Sequence, residues 1–177
     1  KWWGATPESQ IVTFPLNQGR DTFIFATTAQ DSWHEESWTT PGSVGELRGF
    51  YADFHPDARA LLDACDSVLK TALYERDPLT AWSLGPMTLV GDACHPMMPF
   101  MAQGAGMAIE DGVVLARNLA GVTAPAQVAA ALHRYETMRM ERASQIQVGS
   151  RGNNWLRSGG NADWVYGYDA WSVPLPA

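Results

Sequence analysis

Residues 87–121 constrain the chain more than any other stretch. An apolar run from Met87 to Val90 meets Gly91-Asp92, Pro96 and Pro99 bound a loop, and Gly104-Ala105-Gly106 opens an amphipathic segment. This order predicts a short buried strand, a stiff loop and a helix from Gly106 to Leu119 that Gly121 ends, with Ile109, Val113 and Ala116 at helical spacing. Such an arrangement presents backbone N–H groups to an anionic or electron-rich ligand. Asp92, directly after a buried strand, needs a partner: a hydroxyl-rich ligand, or local loop amides as in an Asx-turn. Glycine at 104 and 106 lets a ligand approach the backbone, although a plain glycine-rich turn before a helix has the same composition. A dinucleotide fingerprint does not fit, because counting from Gly104 its third small position falls on Ile109.

The segment LVGDACHPMMPFMAQGAGMAIED resembles the second FAD-contacting motif of the single-component flavoprotein aromatic hydroxylases, the class that includes salicylate and 6-hydroxynicotinate monooxygenases. Gly91, Asp92, His95, Pro96, Met97, Pro99, Gln103, Gly104, Glu110 and Asp111 carry the match. Tyr135, Glu136, Arg139 and Arg142 resemble the family's YExxRxxR pattern, and the aromatic cluster from Trp164 to Asp169 its closing segment. The resemblance implies that Asp92 bonds the ribityl chain of FAD and that Gly91, Pro96, Pro99, Gly104, Ala105, Gly106 and Met107 contact the cofactor. The N-terminus of the helix would stabilise the negative charge that develops on reduced flavin. It also implies reduction by NADH or NADPH and hydroxylation of a phenolic or hydroxypyridine carboxylate through a C4a-hydroperoxide. Phe100 and Gln103 would then line the substrate side. The 6-hydroxynicotinate hydroxylases carry a His where Phe100 stands, and Phe cannot polarise a pyridinol, which leaves a benzenoid substrate open.

Other candidates have plainer readings. His95 is a candidate base, but a lone loop His is more often a structural hydrogen-bonder. Cys94-His95 has no second ligand pair at metal spacing, so no metal site is expected. Glu136, Arg139 and Arg142, three apart, suggest an ion-pair strip on one helix face. Arg20 could meet an aromatic carboxylate, though a solvated turn Arg is the simpler reading. Trp2, Trp3, Trp33, Trp38, Trp155, Trp164 and Trp171 read as core or interface aromatics, which leaves a homodimer open.

Around the motif, Ile11–Leu16 and Thr22–Thr27 predict a hairpin across Asn17-Gln18-Gly19-Arg20-Asp21. Two short helices are expected at Ser43–Phe54 and Pro56–Cys65, the second burying Ala60, Leu61, Leu62 and Cys65. A strand is expected at Val68–Tyr74, and a long helix from Thr123-Ala124-Pro125 to about Val148. The net charge of −7 argues against nucleic acid or an anionic membrane as partner, and no apolar run is long enough to span one. Cys65 and Cys94, without a CxxC, fit reduced cytosolic thiols.

These readings converge on an α/β class (an α+β fragment): part of a FAD/NAD(P)-binding, Rossmann-like monooxygenase fold. Residues 1–85 would be part of the substrate-domain sheet and helices, 86–122 the second FAD motif, and 123–177 the C-terminal helix and aromatic tail. Lys1 follows no initiator Met and GxGxxG is missing, so the expectation is a C-terminal fragment of a cytoplasmic enzyme. Its partners would be a small aromatic substrate and a missing N-terminal FAD-binding half, without which it is expected to bind FAD weakly or not at all and turn nothing over. The alternatives are a related tailoring hydroxylase or epoxidase, and a cofactor-free binding or dimerisation module derived from one.

Overall fold

In the computed structural model, residues 1–6, 8–152 and 162–176 are described. They form two compact units, Lys1–Leu73 and Tyr74–Ala177.

In the first unit, β1 (Trp2–Trp3), β2 (Gln10–Leu16) and β3 (Asp21–Thr27) form an antiparallel sheet, with Phe14 opposite Phe23. Asn17, Gln18 and Gly19 all take positive φ (50°, 61° and 84°), the backbone that the expected turn demands. Helix α1 (Val44–Phe50) starts on a Ser43 hydroxyl that accepts from the Glu46 N–H. Helix α2 (Pro56–Asp63) places Pro56 in its first turn, with His55 Nδ1 accepting from the Asp57 N–H. Ile11, Tyr51, Ala58 and Leu62 are the buried core.

Three expectations for this unit change. Helix α1 ends at Phe50, because Tyr51 leaves helical geometry and packs edge-on against Phe54. The inner stripe of α2 is Ala58 and Leu62, while Ala60 is exposed. Residues 68–74 form no strand: Leu69 makes one isolated bridge to Pro41, which lacks the N–H needed to extend a ladder.

In the second unit, β4 (Ser83–Leu84) and β5 (Met87–Thr88) make a short hairpin. Helix α3 (Gly104–Leu119) lies against α4 (Val128–Gly149), and α5 (Asp163–Tyr166) follows. The side chain of Gln127 accepts from the Thr123 and Ala124 N–H groups and so ends the turn that leads into α4. One cluster gathers Trp82, Cys94, Val114, Tyr135, Ala143 and Ala170; another gathers Met101, Met107, Ile146 and Val165.

The expected buried strand at Met87–Val90 is only two residues of ladder, and Met87 is 63% exposed. No further strand pairs with that hairpin among the described residues. Helix α3 starts at Gly104, two residues early, and its buried stripe is Met107, Asp111, Val114 and Asn118. Ile109, expected on that stripe, is 69% exposed. Two polar side chains occupy the inner face: Asp111, whose partners are described below, and Asn118, whose Nδ2 donates to the Val114 carbonyl (2.9 Å). Among the tryptophans, Trp82 is buried; Trp38, Trp164 and Trp171 are exposed, and Trp155 lies outside the described residues. Both cysteines are free thiols, and no described helix is long and apolar enough to cross a membrane.

Candidate functional site

The turn after β5 has one backbone conformation open to it. Gly91 sits at φ +61°, which favours glycine, and a Cβ there would lie a tight 3.2 Å from the Cβ of Ala108. Its carbonyl accepts from the N–H groups of Cys94 (2.9 Å) and His95 (3.0 Å) and from the Cys94 thiol (3.2 Å). Asp92, inside this tight turn, is exposed and makes no hydrogen bond or ion pair with the described residues. The Asx-turn alternative is therefore not what holds it.

The loop that follows is tied to the end of α4. The Pro96 carbonyl accepts from Gln147 Nε2 (2.9 Å), and the Met98 N–H donates to Ser150 Oγ (3.1 Å). Pro99 opens a single 3-10 turn that buries Phe100 and Met101, while Pro99 itself is exposed. Gln103 turns its amide back to the Met101 carbonyl (3.3 Å) and does not cap α3. The N–H groups of Gly104, Ala105 and Gly106 thus start the helix without a side-chain cap, as first-turn donors that no helical carbonyl can reach. The Met107 N–H, expected among the ligand contacts, is bonded to the Gln103 carbonyl (2.8 Å), and the Met107 side chain is buried.

At Gly104 an added Cβ would come no nearer than 3.8 Å to Met97, and at Gly106 no nearer than 3.5 Å to Gln103. The chain's own packing therefore does not explain either glycine. Open backbone, unspent N–H donors and, one helix turn along at Ala108, the turn that carries Asp92 fit an electron-rich ligand with hydroxyls.

Behind this surface lies a buried network that sequence reasoning missed. The carboxylate of Asp111 accepts from the Gly91 N–H (Oδ2, 3.0 Å) and from Arg139 Nε (Oδ1, 2.8 Å), and meets His95 Nε2 at 2.6 Å. All three side chains are buried. Burial alone would raise the Asp111 pKa, but the bonds from His95, Arg139 and Gly91 outweigh it and hold it below the ordinary carboxylate range. Arg139 is likewise driven upward by Asp111 and Glu110 against the effect of burial.

The expected strip along α4 is replaced by pairing between helices. Arg139 Nη1 meets Glu110 at 2.7 Å, and Arg142 forks onto the same carboxylate with two 2.9 Å bonds. Arg142 also donates to the carbonyls of Trp164 and Val165. Glu136 leaves the strip altogether, its Oε2 accepting the N–H groups of Trp82 (3.0 Å) and Ser83 (2.6 Å). A side chain on a helix surface can reach a neighbouring element as easily as its i+3 neighbour, and here the buried amides and carboxylates hold the greater unmet need.

Of the other candidates, His95 is a buried structural partner of Asp111, and Arg20 is an exposed turn residue bonded to the Asn17 carbonyl. Cys94, His95 and Asp111 bring three potential metal-ligand atoms within 4.8 Å of one another. Asp111 is engaged by Arg139, Gly91 and His95 Nε2, and Cys94 is a protonated donor whose pKa burial and the Asp111 charge push up to about 12, while His95 Nδ1 is buried without a hydrogen-bond partner among the described residues.

A family model described as FAD binding domain matches residues 2–150. The 6-hydroxynicotinate 3-monooxygenase of Bordetella bronchiseptica is 42% identical over 176 residues, 99% of this chain and 45% of that protein. The same-named protein of Pseudomonas fluorescens is 43% identical over 177 residues, again 99% of this chain and 45% of the relative. A solved salicylate hydroxylase substrate complex superposes with a TM-score of 0.81 at 26% identity, covering 93% of this chain and 46% of that one. The chain therefore spans about half the length of the relatives it matches.

Proposed function

We propose that this chain, which belongs to the FAD binding domain family, is part of a monooxygenase that hydroxylates an aromatic ring with O2 and NADH or NADPH. The observation that carries the reading is the start of α3. Three N–H donors stand uncapped beside two glycines whose missing side chains the chain itself does not need.

Within this reading, Asp92 accepts hydrogen bonds from the sugar-alcohol chain of FAD, and Gly104 to Gly106 direct N–H groups at the ring edge that becomes negative on reduction. Bound FAD would supply the chemistry of O2 activation and oxygen transfer. Gly91, Pro96 and Pro99 shape the loop that holds the ring, and the buried Phe100 keeps water from it. Gln103 is placed to meet substrate at the mouth of the helix. His95, buried against Asp111, holds the loop and does not exchange protons with substrate. Residues 1–85 contribute part of the substrate-side sheet, 86–122 the FAD contact and 123–177 the supporting helices.

The substrate class is a hydroxylated aromatic carboxylate, as in the names of the relatives: 6-hydroxynicotinate and, more distantly, 3-hydroxybenzoate and salicylate. The remainder of a longer protein would hold the rest of FAD, so this chain by itself binds FAD weakly or not at all and does not turn over.

The test is NAD(P)H oxidation and product analysis with these three acids, on the chain joined to an N-terminal half of a relative. FAD-dependent hydroxylation of one acid is expected. A complete, folded chimera that holds no FAD would refute the reading.

A further inference from the structure

Asp92 and the α3 N–H groups belong to different pieces of chain, and a ligand that uses both needs them in fixed register. Asp92 has no hydrogen bond of its own, so its bearing comes from its neighbours. Those neighbours converge on Asp111. Gly91, just before Asp92, donates its N–H to Asp111 Oδ2, and His95, closing the turn, meets the same oxygen through Nε2. Both ends of the turn are thus fixed to a single carboxylate oxygen. Asp111 sits on α3 itself, seven residues from Gly104, about 10 Å along the helix axis. Its other oxygen is held by Arg139 of α4, which keeps the carboxylate ionised and correctly turned.

Resting on the FAD reading above, we infer that Asp111, which touches no ligand, is the positioning residue that sets Asp92 in register with the α3 N–H donors. FAD affinity then depends on the carboxylate of Asp111, acting through Asp92. Asn at this position has one oxygen and one NH2, so it cannot accept from Gly91, His95 and Arg139 together.

The test is an NMR titration of the 15N-labelled chain with FAD, following the Asp92 and Gly104–Gly106 amides, in wild type, D92N, D111N and the double variant. Circular dichroism reports whether α3 and α4 remain formed. D111N is expected to weaken FAD binding about ten-fold or more, the usual scale for a residue that orients a ligand contact. The double variant should then bind no worse than D111N alone, because a misdirected Asp92 has nothing left to lose.

Wild-type affinity in folded D111N would overturn the inference, as would losses in the two single variants that multiply in the double. If D111N does not fold, His95→Asn, too short to reach Asp111, releases only one end of the turn. A several-fold loss is expected there, and unchanged affinity in that folded variant also overturns the inference. If the wild-type chain alone shows no FAD-dependent shifts at millimolar FAD, the same comparison of variants is read in the chimera described above. Equal FAD affinity there in wild type and folded D111N overturns the inference. A folded wild-type chimera that holds no FAD defeats the FAD reading itself, and this inference with it.

Discussion

Replacing Arg139 by Met tests whether the buried network stabilises the second unit. The guanidinium is fully buried, hydrogen-bonded to Asp111 at 2.8 Å and ion-paired with Glu110 at 2.7 Å, with a longer bond to the Met107 carbonyl. Met fills much of the space and removes the charge. Breaking a buried pair from one side costs about 3–5 kcal/mol, because the partner stays buried and uncompensated. Two features place this case at the low end. Glu110 keeps Arg142, and Asp111 keeps the Gly91 N–H and its 2.6 Å contact with His95 Nε2. The expected loss is about 3 kcal/mol. Urea unfolding followed at 222 nm suits the measurement, since α3 and α4 dominate the helical signal over the short α1 and α2. The R139M/D111N double variant should lose less than the sum of the single losses, because no lone buried charge remains. A loss under about 1 kcal/mol in R139M, the scale of an exposed pair, would refute the claim that this arginine compensates a buried carboxylate.

Other perturbations read other parts of the site. Gly91→Ala should cost about 1–2 kcal/mol from the positive φ alone, and A108G should restore only the part due to the 3.2 Å contact, again by urea unfolding. Glu136→Ala leaves the Trp82 and Ser83 amides without their acceptor and should cost about 1–3 kcal/mol, whereas E136Q, which keeps an oxygen, should cost less. Folded Cys94 keeps its proton to about pH 12, while the unfolded thiol ionises near its ordinary value of 9.0. Above that value the unfolded state binds fewer protons, so stability falls as pH rises. Tyr51 and Tyr135, both raised by burial, add to the fall above about pH 10, and Cys94→Ala should flatten the first part of the slope.

The hairpin, the two short helices, α3 and α4 were legible in local chemistry: Asn17-Gln18-Gly19 at a turn, Pro56 and Pro125 at helix starts, and Gly104 to Gly106 before an apolar stretch. The loop that carries Asp92 was legible as a motif. What holds it was not. Asp111 stood in the matched segment only as one of its letters, and its partners come from two other stretches, the turn of Gly91 and His95 and, on α4, Arg139. A signal existed nonetheless. Asp111 lies on a stripe with Met107, Val114 and Asn118, and Arg139 on one with Leu132, Tyr135, Ala143 and Ile146. An acid inside one apolar stripe and a base inside the next predict each other, because neither can be buried alone. The strand expected at Val68–Tyr74 failed for the opposite reason: its composition suits a strand, but the segment opposite it contains Pro41.

The outer side of α3 poses the remaining question. Ala105, Ile109, Gly112 and Ala116 recur at helical spacing, all exposed, without a charge among them. A soluble helix with one partner carries polar residues on its far side; one that is apolar all round is covered all round. Among the described residues, those of unit 2 cover the side that holds Asp111 and leave this one exposed. The proposed function accounts for the difference, since the relatives are about twice as long and their remaining part can cover this face. In this chain the face should then contribute nothing to stability. Ile109→Lys is expected to move the urea midpoint by no more than the equivalent of about 0.5 kcal/mol, because a side chain 69% exposed loses almost no packing. Mixed with the N-terminal half of a relative as a separate piece, the same variant should associate more weakly than the unchanged chain, read by co-elution of the two pieces. A large stability loss in the chain alone would mean that Ile109 is already packed, and that the face needs no further partner.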